Sequence, residues 1–126
     1  MSDYTAKRIN DMEAAFGGGL VKARAELGVT SFGLQVVRLP ADYKDYPEHD
    51  HAADGQEEVY LAISGSGYID IEGERVDLTP DLLVRVAAGT KRKVYPGPEG
   101  LQMIALGGVP GKAYEAASFS ELGAAE

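Results

Sequence analysis

The 126-residue chain has no cysteine. That excludes disulfides, thiolate metal sites and thiol nucleophiles. No apolar run approaches the length of about 18 residues that spans a bilayer. The opening stretch M-S-D-Y-T-A-K-R-I-N-D-M places no apolar core behind Lys7-Arg8, so no signal peptide is expected and the cytoplasm is the expected compartment. Basic residues are few, 12 against 20 acidic, leaving a net charge of -8. Nucleic-acid affinity comes largely from Lys and Arg on phosphates, so no nucleic-acid partner is expected, and no membrane partner either. No G-x-S-x-G elbow is present; Gly65-Ser66-Gly67 and Gly17-Gly18-Gly19 lack the G-K-[ST] of a phosphate loop and read as turns. Histidine is scarce as well, with only His49 and His51.

What is present is enough for one domain with its own core. Hydrophobic residues make up 44%, and 16 glycines and 6 prolines are spread along the chain rather than pooled in a linker. There is no internal repeat and no low-complexity segment. From Gly65 onward turn residues recur at short intervals: Gly73, Pro80, Gly89, Pro96-Gly97-Pro98 and Gly107-Gly108. Short strands at such spacing predict an all-β sandwich or barrel. Strands are expected at Gly33–Leu39, Glu48–Ala52, Glu57–Ile63, Gly67–Glu72, Arg75–Leu78, Leu83–Val86, Lys91–Tyr95 and Leu101–Leu106. Ile69 and Ile71 alternate with Tyr68, Asp70 and Glu72, one buried face and one wet face. Glu72-Gly73 fits a tight hairpin turn. Ahead of the strands, Leu20–Leu27 reads as a helix stopped by Gly28, with a shorter turn near Asn10–Phe16. Residues 1–32 therefore form an N-terminal extension with short helices, 33–111 a barrel, and 112–126 a small polar tail expected to fray.

The chemistry concentrates in P-E-H-D-H-A-A-D-G-Q-E-E-V-Y. On an extended segment His49 and His51 project from one face. Glu58, opening the next strand, completes a set of two imidazoles and one carboxylate that suits a transition metal with open positions. Residues 41–60 hold seven acids (Asp42, Asp45, Glu48, Asp50, Asp54, Glu57 and Glu58) against Lys44 alone. Such a run either concentrates cations or simply solvates the loop. Glu58, Tyr60 and Ala62 share one strand face, and Val59, Leu61 and Ile63 the other. If Glu58 points inward, the apolar row points outward and needs cover, from the N-terminal segment or from a second subunit.

These residues resemble the cupin superfamily in its small single-domain form. The first cupin motif is similar to His49-Asp50-His51, then Glu58, then Gly65; the second, more degenerate, falls on Ala87-Ala88-Gly89-Thr90-Lys91-Arg92. The resemblance spans about residues 33–107. It implies a jelly-roll β-barrel of two antiparallel sheets, a metal held by three histidines and one glutamate, and often a homodimer. Arg92 stands where the third histidine belongs, and arginine is not a metal ligand. Two readings of Arg92 follow. Either it pairs with Glu58 where the metal would sit, or a metal remains on His49, His51 and Glu58 and Arg92 clamps an anionic substrate beside it. Tyr60 is the second candidate for substrate contact.

The resemblance implies a small-molecule-binding cupin whose ligand, expected to be anionic, sits in the barrel mouth. A divalent transition metal (iron, manganese, nickel or zinc) would be held weakly or not at all, because of Arg92. The alternatives are a metal-dependent oxygenase or isomerase acting on a small carboxylate or sugar-like molecule, and a structural dimer with a vestigial pocket. Catalytic residues are not assigned from the sequence.

Overall fold

Two long antiparallel strands carry the fold of the computed structural model, which describes residues 2–125. The ends of the two terminal segments, Met1 and Glu126, lie outside the described residues. Strand β1 is Ala14–Ala15, β2 Leu20–Val21, β3 Gly33–Leu39, β4 Glu57–Ile71, β5 Glu74–Leu78, β6 Val84–Val86 and β7 Arg92–Gly108; α1 is Ala23–Leu27. β4 and β7 pair from Glu57↔Gly108 to Ile71↔Arg92. Each merges two of the strands expected from sequence.

The glycines read as a turn between those strands instead mark a bend inside β4, where the register shifts between Ala62 and Ser64 and between Gly65 and Gly67. Bulges of this kind bend a ladder without breaking it. Gly65 has φ +80°, and a Cβ there would strike the Gly100 carbonyl oxygen of the facing strand. The bend divides one continuous ladder into the two sheets of a jelly-roll barrel. The first half of β4 pairs with β6 and with the end of β7, which continues through β3 to β2 and β1; the second half pairs with β5 and the start of β7.

The core lies between these halves. Tyr60, Ala62 and Ile69 of β4 pack with Val37 and Leu39 of β3, and with Val94, Leu101 and Met103 of β7. Ile69 is fully buried and Ile71 packs against the same cluster, following the predicted alternation. The Glu72-Gly73 turn joins β4 to β5 with both residues at positive φ, as a two-residue hairpin requires. Gly28 ends α1 in the left-handed conformation, its amide bonded back to Arg24 and Ala25.

Three expectations need correction. Helix does not begin at Leu20: Leu20 and Val21 are β2, paired with Val37 and Val36. Val21 is completely buried there, so sheet pairing overrides a helix preference of a few tenths of a kcal/mol per residue. The turn near Asn10–Phe16 is a 3-10 turn over Ile9–Asp11 followed by β1. The tail docks against the rest of the chain. Its Ser118–Ser120 turn buries Ser120, and Arg24 binds Glu121 at 2.9 Å. The buried Lys22 ammonium donates to Glu13 at 2.6 Å and to the Glu121 carbonyl at 2.8 Å. A buried ammonium must be paired, and that need fixes the tail against the N-terminal segment.

The outward row behaves as its spacing implied. Val59 and Leu61 are half-buried and Ile63 is 36% exposed. The N-terminal segment covers the neighbouring patch instead, where Ile9 and Met12 pack with Val21, Val36, Leu34 and Ile104. Among the described residues no helix is long and apolar enough to cross a membrane.

Candidate functional site

His49 and His51 lie on a segment expected to be a strand over Glu48–Ala52. It forms only one bridge, His49 to Arg92. Their backbones exchange bonds of 2.9 and 3.0 Å, and the His51 amide bonds Ala88 at 2.7 Å. Pro47 has no amide to extend the ladder on one side. On the other, the Asp50 side chain accepts the Ala52 amide at 3.0 Å, and the chain turns back with Gly55 bonded to His51. The short extended piece still sends both imidazoles to one side, with ring centroids 5.2 Å apart. Residues directly opposite on paired strands share a face. Arg92 therefore points toward the same place as His49.

Glu58 meets them from the start of β4. Its Oε1 stands 3.4 Å from His49 Nε2, 3.1 Å from His51 Nε2 and 3.9 Å from Arg92 Nη2, and it accepts the Tyr60 hydroxyl at 2.6 Å. One ligand atom from each of His49, His51 and Glu58 lies within 4.8 Å of the others. The far side of each ring is anchored. His49 Nδ1 donates to the Pro47 carbonyl at 3.2 Å, and His51 Nδ1 lies 3.2 Å from both Asp54 carboxylate oxygens. Carbonyl and carboxylate only accept, so each Nδ1 carries a proton and each Nε2 faces inward; His49 Nε2 donates to Glu58 when it too is protonated. His51 Nε2 is buried and, though close to Glu58, makes no hydrogen bond. Two lone pairs facing a carboxylate repel one another until a proton or a metal cation enters. Asp54 orienting His51 is the outer support usual for metal-ligating histidine.

The ionisation of the group follows from this geometry. The bond to Glu58 raises His49 above the ordinary histidine range, against burial and the charge of Arg92. Burial works to raise the Glu58 carboxyl, but hydrogen bonds from His49 and Tyr60 and the charges of the two histidines outweigh it and hold it low. Burial likewise opposes ionisation of Asp54, yet the Gln56 amide and His51 keep it below the usual range. Tyr46 is pushed up to about 12 by burial, then by the charge of Glu58. Burial, with the same carboxylate nearby, pushes Tyr60 up further.

His49, His51 and Glu58 open onto a cavity of about 1120 Å³. Arg92 and Tyr60, expected to touch substrate, do not line it. Arg92 is fully buried, with Nη2 donating to the Ala87 carbonyl at 3.2 Å and Nη1 to the His49 carbonyl at 3.5 Å. Tyr60 is 1% exposed and held by Glu58. Both stand behind the ligand set. The wall comes instead from Gln35, Tyr43, Tyr46 and Gln56, and from two segments read as peripheral: Phe16–Leu20 and Tyr114–Ser120. Asp54 had a readable signal, a carboxylate three residues after His51. Gln35 and Tyr114 had none, because only the closed barrel and the docked tail bring them there.

No family model matches the chain, and no curated protein matches it. Among solved structures, a cupin protein from Bacteroides fragilis is similar over 100% of this chain and 99% of its own, at 22% identity and TM-score 0.70. A sugar phosphate isomerase of the cupin superfamily from Silicibacter pomeroyi is similar over 90% of this chain and 83% of its own, at 14% identity and TM-score 0.69. The cupin domain of an XRE family transcriptional regulator from Enterobacter cloacae is similar over 66% and 86%, at 24% identity and TM-score 0.55. At these identities the likeness is one of fold, and the chain has the jelly-roll β-barrel fold of cupins.

Proposed function

We propose that the chain is a small-molecule-binding cupin that holds a divalent transition metal on His49, His51 and Glu58, with its ligand in the adjoining cavity. The observation that carries this reading is the orphaned His51 Nε2, buried and aligned with His49 Nε2 on one carboxylate oxygen. Iron, manganese, nickel and zinc all accept such a donor set. When bound, the ion supplies a Lewis acid with positions left for a ligand oxygen. Arg92, 3.9 Å from Glu58, sets a fixed positive charge beside that ion and weakens its binding. Titration of zinc or nickel into chelated protein tests the reading. A single ion should bind per chain, with affinity at least about tenfold lower in His51→Ala. Absence of binding, or equal binding in the variant, would refute it.

The enzyme reading, a metal-dependent isomerase or oxygenase acting on a small carboxylate or sugar-like molecule, rests on the same donor set. Three protein ligands leave coordination open, as catalytic metal sites do. It requires turnover that chelation abolishes. We also propose that a second copy of the chain covers the Val59, Leu61 and Ile63 row, which the N-terminal segment leaves partly open.

A further inference from the structure

We infer that the cavity takes a neutral, hydroxyl-bearing molecule rather than an anion, and that Gln35, Tyr46 and Tyr114 determine this specificity. The inference rests on the reading of the cavity as a ligand site; it does not depend on the identity of the metal.

The charges of the wall come first. Asp54, Glu58 and Glu115 line it, with Arg38 as its only Lys or Arg among the described residues. The Arg38 guanidinium is engaged elsewhere, donating to Gln102 at 3.2 Å and to Asn10. Arg92, which an anion would need, is sealed behind Glu58 and the Ala87 and His49 carbonyls. Apart from a metal ion, the cationic groups left are His49 and His51, which are already paired with Glu58 and Asp54, so the three carboxylates outweigh them and disfavour a phosphate or a second carboxylate.

The neutral groups point to the opposite class. Gln35 Oε1 is buried on the cavity wall with no hydrogen-bond partner. Among the described residues the Tyr46 and Tyr114 hydroxyls also lack one, and both rings line the same cavity. An orphaned amide oxygen is destabilising unless a ligand or solvent satisfies it. Gln35 lies opposite Ala105 on β7, and Ala105 lies opposite Tyr60 on β4. The amide and the Glu58 strand thus flank a floor of small residues, two strand spacings or roughly 10 Å apart. Tyr114 reaches in from the tail and lies over Gly33, where a Cβ would come within 2.8 Å of its hydroxyl. A molecule crossing Ala105 from the histidines would meet an amide at its far end and phenol hydroxyls at its sides. Hydroxyl groups, each both donor and acceptor, satisfy all three partners.

The test uses the full chain supplemented with zinc and three matched probes: glucose, gluconate and glucose 6-phosphate. Binding is followed by amide shift perturbation in NMR titrations. Glucose should bind at least about tenfold more tightly than glucose 6-phosphate. Gln35→Leu and Tyr114→Phe should each weaken glucose roughly threefold to tenfold, the loss of a hydrogen bond, while leaving zinc affinity unchanged. Tyr114→Phe sits on the docked tail and keeps the ring, so it remains informative if Gln35→Leu does not fold. Tighter binding of either anion, binding of none of the three, or glucose binding indifferent to both variants would overturn the inference. Glucose binding with these sensitivities in protein that takes up no zinc would leave it standing and refute the metal reading instead.

Discussion

Arg92 is the residue whose replacement says most about the site. Its backbone pairs with His49 and its guanidinium reaches Glu58, so position 92 faces the histidines. Arg92→His should therefore bind nickel or zinc more tightly than the wild-type chain. A higher melting temperature in metal should accompany it, since a ligand bound only to the folded state stabilises that state. Equal affinity by calorimetry would show that the imidazole does not reach the ion. Arg92→Ala should lower the free energy of urea unfolding by roughly 2–4 kcal/mol, because it empties a fully buried site and strands two carbonyls. The direct loss at Glu58 is limited, since Tyr60 and His49 still hold that carboxylate. The ionisation of the pair sets a pH dependence. His49 is raised in the folded chain, so its contribution is full below the unfolded histidine value of about 6.5 and is lost as pH climbs through the folded value. Glu58 is lowered, so its contribution is present above the unfolded glutamate value of about 4.3 and is lost as pH falls through the folded value. Chelated protein should thus lose this local stabilisation on going from about pH 6 to pH 8. With zinc, which competes with the proton on His49, stability should rise over the same interval. Melts at fixed ionic strength, with His49→Gln as control, check both signs.

At the scale of elements, the bend in β4 and the docked tail shape the cavity. Gly65 combines a positive φ with backbone contact to Gly100, so neither a side chain nor a relaxed backbone is accommodated. Gly65→Ala should cost roughly 2–4 kcal/mol, measured by denaturant titration. A cost below about 0.5 kcal/mol would mean that the two long strands do not approach as described. The tail acts differently. Lys22, between β2 and α1, and Arg24 of α1 tie down Glu121, and that tie carries Tyr114 and Phe119 to the cavity wall. Composition identified a small polar tail. Its burial depended on cations presented by another element more than ninety residues earlier in sequence.

For the whole molecule the open question is assembly. Leu61 and Val59 sit half-buried on the outer face beside the exposed Ile63, with Phe32 nearby at 41% exposure lining the same hollow as Val59. A twofold dimer is the commonest way to cover such a face. Sedimentation velocity should give a dimer at micromolar concentration, and Leu61→Asp should shift it to monomer without loss of the strand signal in circular dichroism. A wild-type monomer at high micromolar concentration would show that this face stays open.

The sequence by itself determined the fold class and the donor set. Alternation along Tyr68–Glu72 and the recurring turn residues specify a barrel, because a strand side chain faces either the core or solvent. The His49, His51 and Glu58 trio was legible because two-residue spacing holds on any extended piece, even one with a single bridge. Tertiary structure decided what could not be local. It joined four predicted strands into two, because a glycine bend and a turn look alike in sequence. It drew Leu20 and Val21 into a sheet through pairing with β3. It also buried Arg92 behind the ligands and brought Gln35 and Tyr114 to the cavity, since burial and hydrogen-bond satisfaction depend on residues distant along the chain.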